Sequence, residues 1–156
     1  MKIIYHNRKP NVKAEQKLEA TYVSFKELLA QSDVLTLHAN LSDATKGIFD
    51  KEAFAQMKSN AIFVNTGRGG LHNETDLKEA LDNGTIWGAG LDVTNPEPMD
   101  KDNPLLTMPN VCILPHIGSA TQEARNGMAV MAAKNAIAGL KGEPLPTIVN
   151  PDVYHQ

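Results

Sequence analysis

Three residues have types and settings that suit chemistry on a small acid: Arg68 in Thr66-Gly67-Arg68-Gly69, Glu97 in Asn95-Pro96-Glu97-Pro98, and His116 in Pro115-His116-Ile117-Gly118-Ser119. An arginine offers a planar fork that grips a carboxylate through two parallel hydrogen bonds. A histidine can deliver a proton to a carbonyl oxygen as negative charge builds there, worth roughly 10²–10⁴-fold in rate. A carboxylate beside an imidazolium favours its charged form and fixes which ring nitrogen faces the substrate. Together the three suit reduction of a 2-oxo acid. Taken singly, each has a plainer reading. Arg68 is then a solvated cation on a glycine-rich turn, Glu97 part of a proline-stiffened loop, and His116 a structural histidine.

Each of the three follows a short apolar run. In a parallel sheet that places them past the carboxyl ends of strands, where open α/β folds build their sites. Runs at 2–5, 20–23, 34–38, 61–65, 86–92 and 111–114 read as strands. Several lack polar alternation, which predicts strands covered on both faces. Helices lie between them. Ser24 and Glu27 form a capping box before Leu28 and Leu29. Asn73 caps a helix with Leu77, Ala80 and Leu81 on one face, and Asn83-Gly84 ends it. Alternation of strands and helices implies parallel pairing with right-handed crossovers. A long helix is expected over about 121–141, capped by Ser119 with Gln122 and stopped by Gly142 and Pro144. Ala124, Met128, Met131, Ala132, Asn135 and Ala136 give it one narrow face of small and flexible residues, suited to association. Gly118 and Ser119 would then present amides at its N-terminus, suited to an anion or a polar cofactor group.

The 156 residues suffice for one ordinary domain with a real core. A net charge of −3 with mixed signs argues against a nucleic-acid binder, and no apolar run is long enough to span a bilayer. Cys112, the only cysteine, lies in an apolar run and is expected to be a buried, inert thiol. With no apolar leader after Met1, a reducing cytoplasm is the expected location. No metal site is expected.

The motifs, in their order, resemble the D-isomer-specific 2-hydroxyacid dehydrogenase family. The likeness runs from about Ser32 to Pro144. It rests on Ser32-Asp33-Val34, Phe63-Val64-Asn65-Thr66-Gly67-Arg68-Gly69, Leu91-Asp92-Val93 with Pro96-Glu97-Pro98, Asn103-Pro104-Leu105-Leu106, and Pro115-His116-Ile117-Gly118-Ser119-Ala120-Thr121. Within the family, 88–94 and 139–144 are similar to the glyoxylate/hydroxypyruvate reductase branch. The resemblance implies an oxidoreductase that moves a hydride from NAD(P)H to a small 2-oxo acid. Arg68 would hold the substrate carboxylate, His116 would be the acid/base, and Glu97 its partner. Asp92 would lie near the nicotinamide carboxamide, and Asn40, Thr66 and Gly118 would line the cofactor. A homo-oligomer would be expected. Other implied readings are a phosphoglycerate or formate dehydrogenase, or a non-catalytic dinucleotide-sensing interaction module.

The segment Tyr5-His6-Asn7-Arg8-Lys9 resembles the end of the second Rossmann strand, where an acid accepts the ribose hydroxyls in NAD-selective proteins. No acid is present. Arg8 and Lys9 suit the extra phosphate of NADP, with NAD as the alternative, although a plain basic turn before Pro10 has the same look. The glycine fingerprint G-x-G-x-x-G is absent. Gly88-Ala89-Gly90 fails because Val93 stands where the third glycine belongs. The expected fold is therefore an incomplete Rossmann-like α/β parallel sheet with helices on both faces. It would lack the first β-α unit and the separate substrate domain. The expected divisions are a partial dinucleotide-binding domain over 1–118, the long helix over 119–142 and an irregular tail over 143–156. The first strand is central in the usual order. Without it, strands 2–5 and 34–38 should pair with each other or leave a gap that a partner segment or a rearrangement closes.

Overall fold

A computed structural model describes residues 1–155. Six short strands form where the apolar runs lie: β1 (Ile4–Tyr5), β2 (Thr21–Tyr22), β3 (Val34–Leu37), β4 (Ile62–Asn65), β5 (Gly88–Leu91) and β6 (Val111–Ile113). All pairings are parallel. The helices are α1 (Val12–Leu18), α2 (Phe25–Gln31), α3 (Lys51–Ala55), α4 (Glu74–Asp82) and α5 (Gln122–Lys141).

Two ladders result. β1 pairs only with β2, and a four-stranded sheet runs β3-β4-β5-β6. The expected alternative of β1 pairing with the strand at 34–38 is not realised. β3 is instead an edge strand of its own sheet, and no strand among the described residues joins the two ladders.

The core lies on one face of the larger sheet. Leu35 and Leu37 of β3 and Phe63 of β4 meet Leu29 of α2, Phe54 of α3, and Leu77 and Leu81 of α4. Phe49, Phe54 and Phe63 pack ring against ring, with centroids 4.9–6.2 Å apart. β3 alternates between buried and exposed positions, with the polar Thr36 and the apolar Val34 on the exposed side. Val34 and Thr36 face outward while Leu35 and Leu37 are buried. The largely apolar run at 34–38 therefore does not mean two covered faces here. Cys112 is likewise exposed, correcting the expectation of a buried thiol. Successive strand residues point to opposite faces, and on β6 it is Val111 and Ile113 that pack on the core.

The helix ends follow local chemistry. Ser24 and Glu27 make the reciprocal capping box. Asn73 Oδ1 accepts from the amides of Thr75 and Asp76, and Gly84 takes positive φ after α4. At α5 the cap is Thr121, whose hydroxyl accepts from the Ala124 amide, rather than Ser119. Ser119 sits in a preceding turn closed by the Ala120 amide on the Ile117 carbonyl. Gly118 and Ser119 are therefore not in the first turn of the helix.

The chain forms two compact units, Met1–Pro115 and a second that begins at His116. The second holds the turn before α5, α5 itself and the segment after it, where Asn135 bonds to Thr147 in both directions and a 3₁₀ turn spans Pro151–His155. On α5, Met128, Ile137 and Leu140 are exposed and only Ala138 is buried.

Candidate active site

The register of the large sheet sets the stage. Leu37, Asn65, Leu91 and Ile113 are direct partners across four parallel strands, so the strands end in one row. The chain leaves that row through the loops that hold Asn40, Thr66 and Arg68, Asp92 and Glu97, and His116.

Two neighbouring cavities open in the first unit at this edge. One of about 470 Å³ is lined by His38, Asn40, Thr66, Gly67 and Arg68. The other, about 550 Å³, is lined by Lys46, Arg68, Gly69, Thr94, Asn95 and Glu97, with part of the 41–43 loop. Arg68 belongs to both. The structure thus brings Arg68 and Glu97 to one cavity, and Asn40, Thr66 and Arg68 to the other. Arg8 and Lys9 lie on the exposed turn after β1 and line neither. His116 opens the second unit and takes a left-handed backbone, φ 54°. That region is sparsely used by residues other than glycine, although histidine enters it more readily than most. Asp92 is buried directly after β5, and its amide donates to the Asn65 carbonyl.

The turn that presents Arg68 is held from inside. Asn65 is fully buried at the end of β4. Its Oδ1 accepts from the Gly67 amide at 3.0 Å, and its Nδ2 donates to the Arg68 carbonyl at 3.0 Å and to His72 Nδ1 at 2.9 Å. The Arg68 guanidinium donates to the Gly67 carbonyl at 2.7 Å. Gly69 has a specific reason to be glycine. A Cβ there would lie 1.9 Å from the Thr94 carbonyl oxygen. The close approach that Gly69 permits is to the loop leading to Glu97. Glu74, in the first turn of α4, fixes that loop at two points. It accepts from the Asn95 amide at 2.7 Å and from Asn103 Nδ2 at 3.0 Å.

His38, Lys46, Asn65, His72 and Glu74 lie outside the residues that the sequence marks for the site. Of these, Asn65 had a usable signal, a polar side chain closing an apolar strand. His38 bridges hydroxyls, with Nε2 2.9 Å from Thr36 and Nδ1 3.4 Å from Thr66.

The cavity that holds Asn40 and Thr66 fits one end of a dinucleotide. Its volume falls within the range of small-molecule sites, and hydroxyl, amide and imidazole groups suit ribose hydroxyls and a carboxamide. The sequence supplies no glycine fingerprint for the pyrophosphate. Among the described residues no cluster of metal-ligating side chains occurs, and no helix is long and apolar enough to cross a membrane.

Comparison with known proteins gives the family. Residues 1–118 match the model of the D-isomer specific 2-hydroxyacid dehydrogenase NAD binding domain. The human glyoxylate reductase/hydroxypyruvate reductase is 47 % identical over 146 residues, covering 94 % of this chain and 44 % of the human protein. The TT0316 protein of Thermus thermophilus superposes with a TM-score of 0.89 at 41 % identity, over 96 % of this chain and 46 % of that one. The D-lactate dehydrogenase of Lactobacillus jensenii, solved with NAD+, gives 0.84 at 29 % identity, over 96 % and 48 %. The chain spans about half the length of these relatives. With three quarters of its residues matched, the chain belongs to the D-isomer specific 2-hydroxyacid dehydrogenase family.

Proposed function

We propose that this chain carries the catalytic residues of a nicotinamide-dependent reductase of small 2-oxo acids, of the glyoxylate and hydroxypyruvate type. The observation that supports it most is the shared cavity of Arg68 and Glu97 at the carboxyl edge of the parallel sheet, in a chain 47 % identical to a glyoxylate/hydroxypyruvate reductase. Arg68 binds the substrate carboxylate as a bidentate fork and so orients the 2-oxo group. His116 donates a proton to the carbonyl oxygen, and Glu97 stabilises the imidazolium that does so. The dinucleotide, when bound, supplies the hydride. Asn40 and Thr66 hold its nicotinamide end, with Asp92 and Gly118 as further contacts. Arg8 and Lys9 select NADP over NAD by pairing with its extra phosphate, a role that accords with the absence of an acid on that turn. The enzyme acts in the cytoplasm as a homo-oligomer, in keeping with the apolar side chains exposed on α5.

A chimera tests this reading. The 146 matching residues of the human relative are replaced by this chain, and NADPH and NADH oxidation are followed with glyoxylate, hydroxypyruvate and a phosphorylated 2-oxo acid. The expected result is turnover of the first two with NADPH preferred, and a swing toward NADH when Arg8 and Lys9 become serine. A folded chimera inactive toward both acids would overturn the substrate reading, and preference for the phosphorylated acid would move the chain to the phosphoglycerate branch.

A further inference from the structure

We propose that Asn65 and His72 are positioning residues: a buried amide–imidazole latch that sets the turn from which Arg68 meets its anionic ligand. The inference deepens the assignment of Arg68 as carboxylate anchor and rests on it.

The atoms leave one arrangement. Gly67 N–H can only donate, so the Asn65 atom it meets is the oxygen. The Arg68 carbonyl can only accept, so the other is the amide nitrogen. The His72 Nδ1 that faces this nitrogen must then be an unprotonated acceptor. Both Asn65 N–H groups and its oxygen are thereby used, inside a fully buried side chain. The Arg68 carbonyl is gripped twice, by Asn65 Nδ2 and by the Leu71 amide of the following 3₁₀ turn. The His72 ring is fixed edge-on against Phe63, with centroids 5.7 Å apart.

The arrangement is not the cheapest way to fill the space. With Nδ1 accepting, Nε2 carries the hydrogen, and it has no protein partner among the described residues. An apolar residue at 72 would remove that orphan but would leave one buried Asn65 N–H without its acceptor, so the two costs roughly offset in global stability. What histidine adds is the acceptor that completes Asn65. The latch thus fixes the turn with little net effect on global stability, as a site built on pre-organised groups requires.

The test uses the 156-residue chain and two variants, read by amide hydrogen exchange, urea unfolding at pH 7.5 and NMR titration of Arg68 with oxamate. His72→Leu removes the acceptor and keeps the packing. Gly67 exchange should rise roughly fivefold or more, the shift expected from one lost net hydrogen bond, while the urea midpoint does not fall. His72→Asn places an amide oxygen near the position of Nδ1, so Gly67 protection should return. Unchanged Gly67 exchange in the leucine variant would overturn the latch. A fall in its urea midpoint that parallels the loss of protection would overturn it too, since that is a purely structural role. The oxamate arm is separate. If oxamate leaves Arg68 of the unmodified chain unmoved, the carboxylate-anchor reading fails while exchange still decides the latch. If oxamate binds, the leucine variant should bind it more weakly and the asparagine variant recover.

Discussion

Acid should destabilise this fold through His72. Burial lowers the pKa of its ring from 6.5 to about 4 in the folded chain. Unfolding returns the group to about 6.5. Between these values the unfolded chain binds a proton that the folded chain refuses. Stability is therefore unaffected above the window and falls as pH drops through it. The full shift corresponds to about 3 kcal/mol, of which about 2 kcal/mol is lost by pH 5. His72→Leu removes the titrating group. Urea unfolding followed by far-UV circular dichroism at pH 7.5 and pH 5.0 isolates the effect, because other titrating groups act equally on both proteins. The unmodified chain should lose about 2 kcal/mol more than the variant over that interval. Equal losses would show that the His72 ring is not desolvated as its burial implies, and would refute the reasoning.

Three further outcomes are expected. Gly69→Ala must displace the Thr94 carbonyl, which its Cβ would approach to 1.9 Å. Overpacking of this type costs about 1–3 kcal/mol, and amide shifts should spread to 94–97. Glu74→Ala frees the Asn95 amide and Asn103 at once, so the loop carrying Glu97 should exchange faster and stability fall by about 1–2 kcal/mol. Thr121→Ala should cost about 1 kcal/mol and fray the start of α5, whereas Ser119→Ala should leave that helix unchanged by circular dichroism and amide exchange.

The strands were legible because each is a short apolar run bounded by turn residues, and β1 to β6 lie within two residues of the expected spans at most ends. The capping box at Ser24 and the cap at Asn73 were legible because they depend on residues three apart. α1 and α3 were not. α1 buries no residue, so it carries no apolar stripe, and its C-cap is Glu19 in a left-handed conformation rather than a glycine. α3 has only five residues. The cap of α5 is not set by local sequence, because Ser119 and Thr121 both suit the role and the Ile117–Ala120 turn decides between them. Exposure of Cys112 depends on which face of β6 meets the core, which the composition of a three-residue strand does not specify. In the candidate site, Arg68 and Glu97 stand out by residue type and motif, and both line one cavity. Their supports do not stand out, because Asn65, His72, Gly69 and Glu74 act through contacts with residues up to 29 positions away.

The role of His116 is tested most directly by the maximal rate of glyoxylate reduction in the chimera, with and without His116→Ala. Loss of a positioned general acid should lower kcat by roughly 10²–10⁴-fold while the circular dichroism spectrum is unchanged. A variant that folds and turns over at the original rate would contradict the assignment of His116 as the acid.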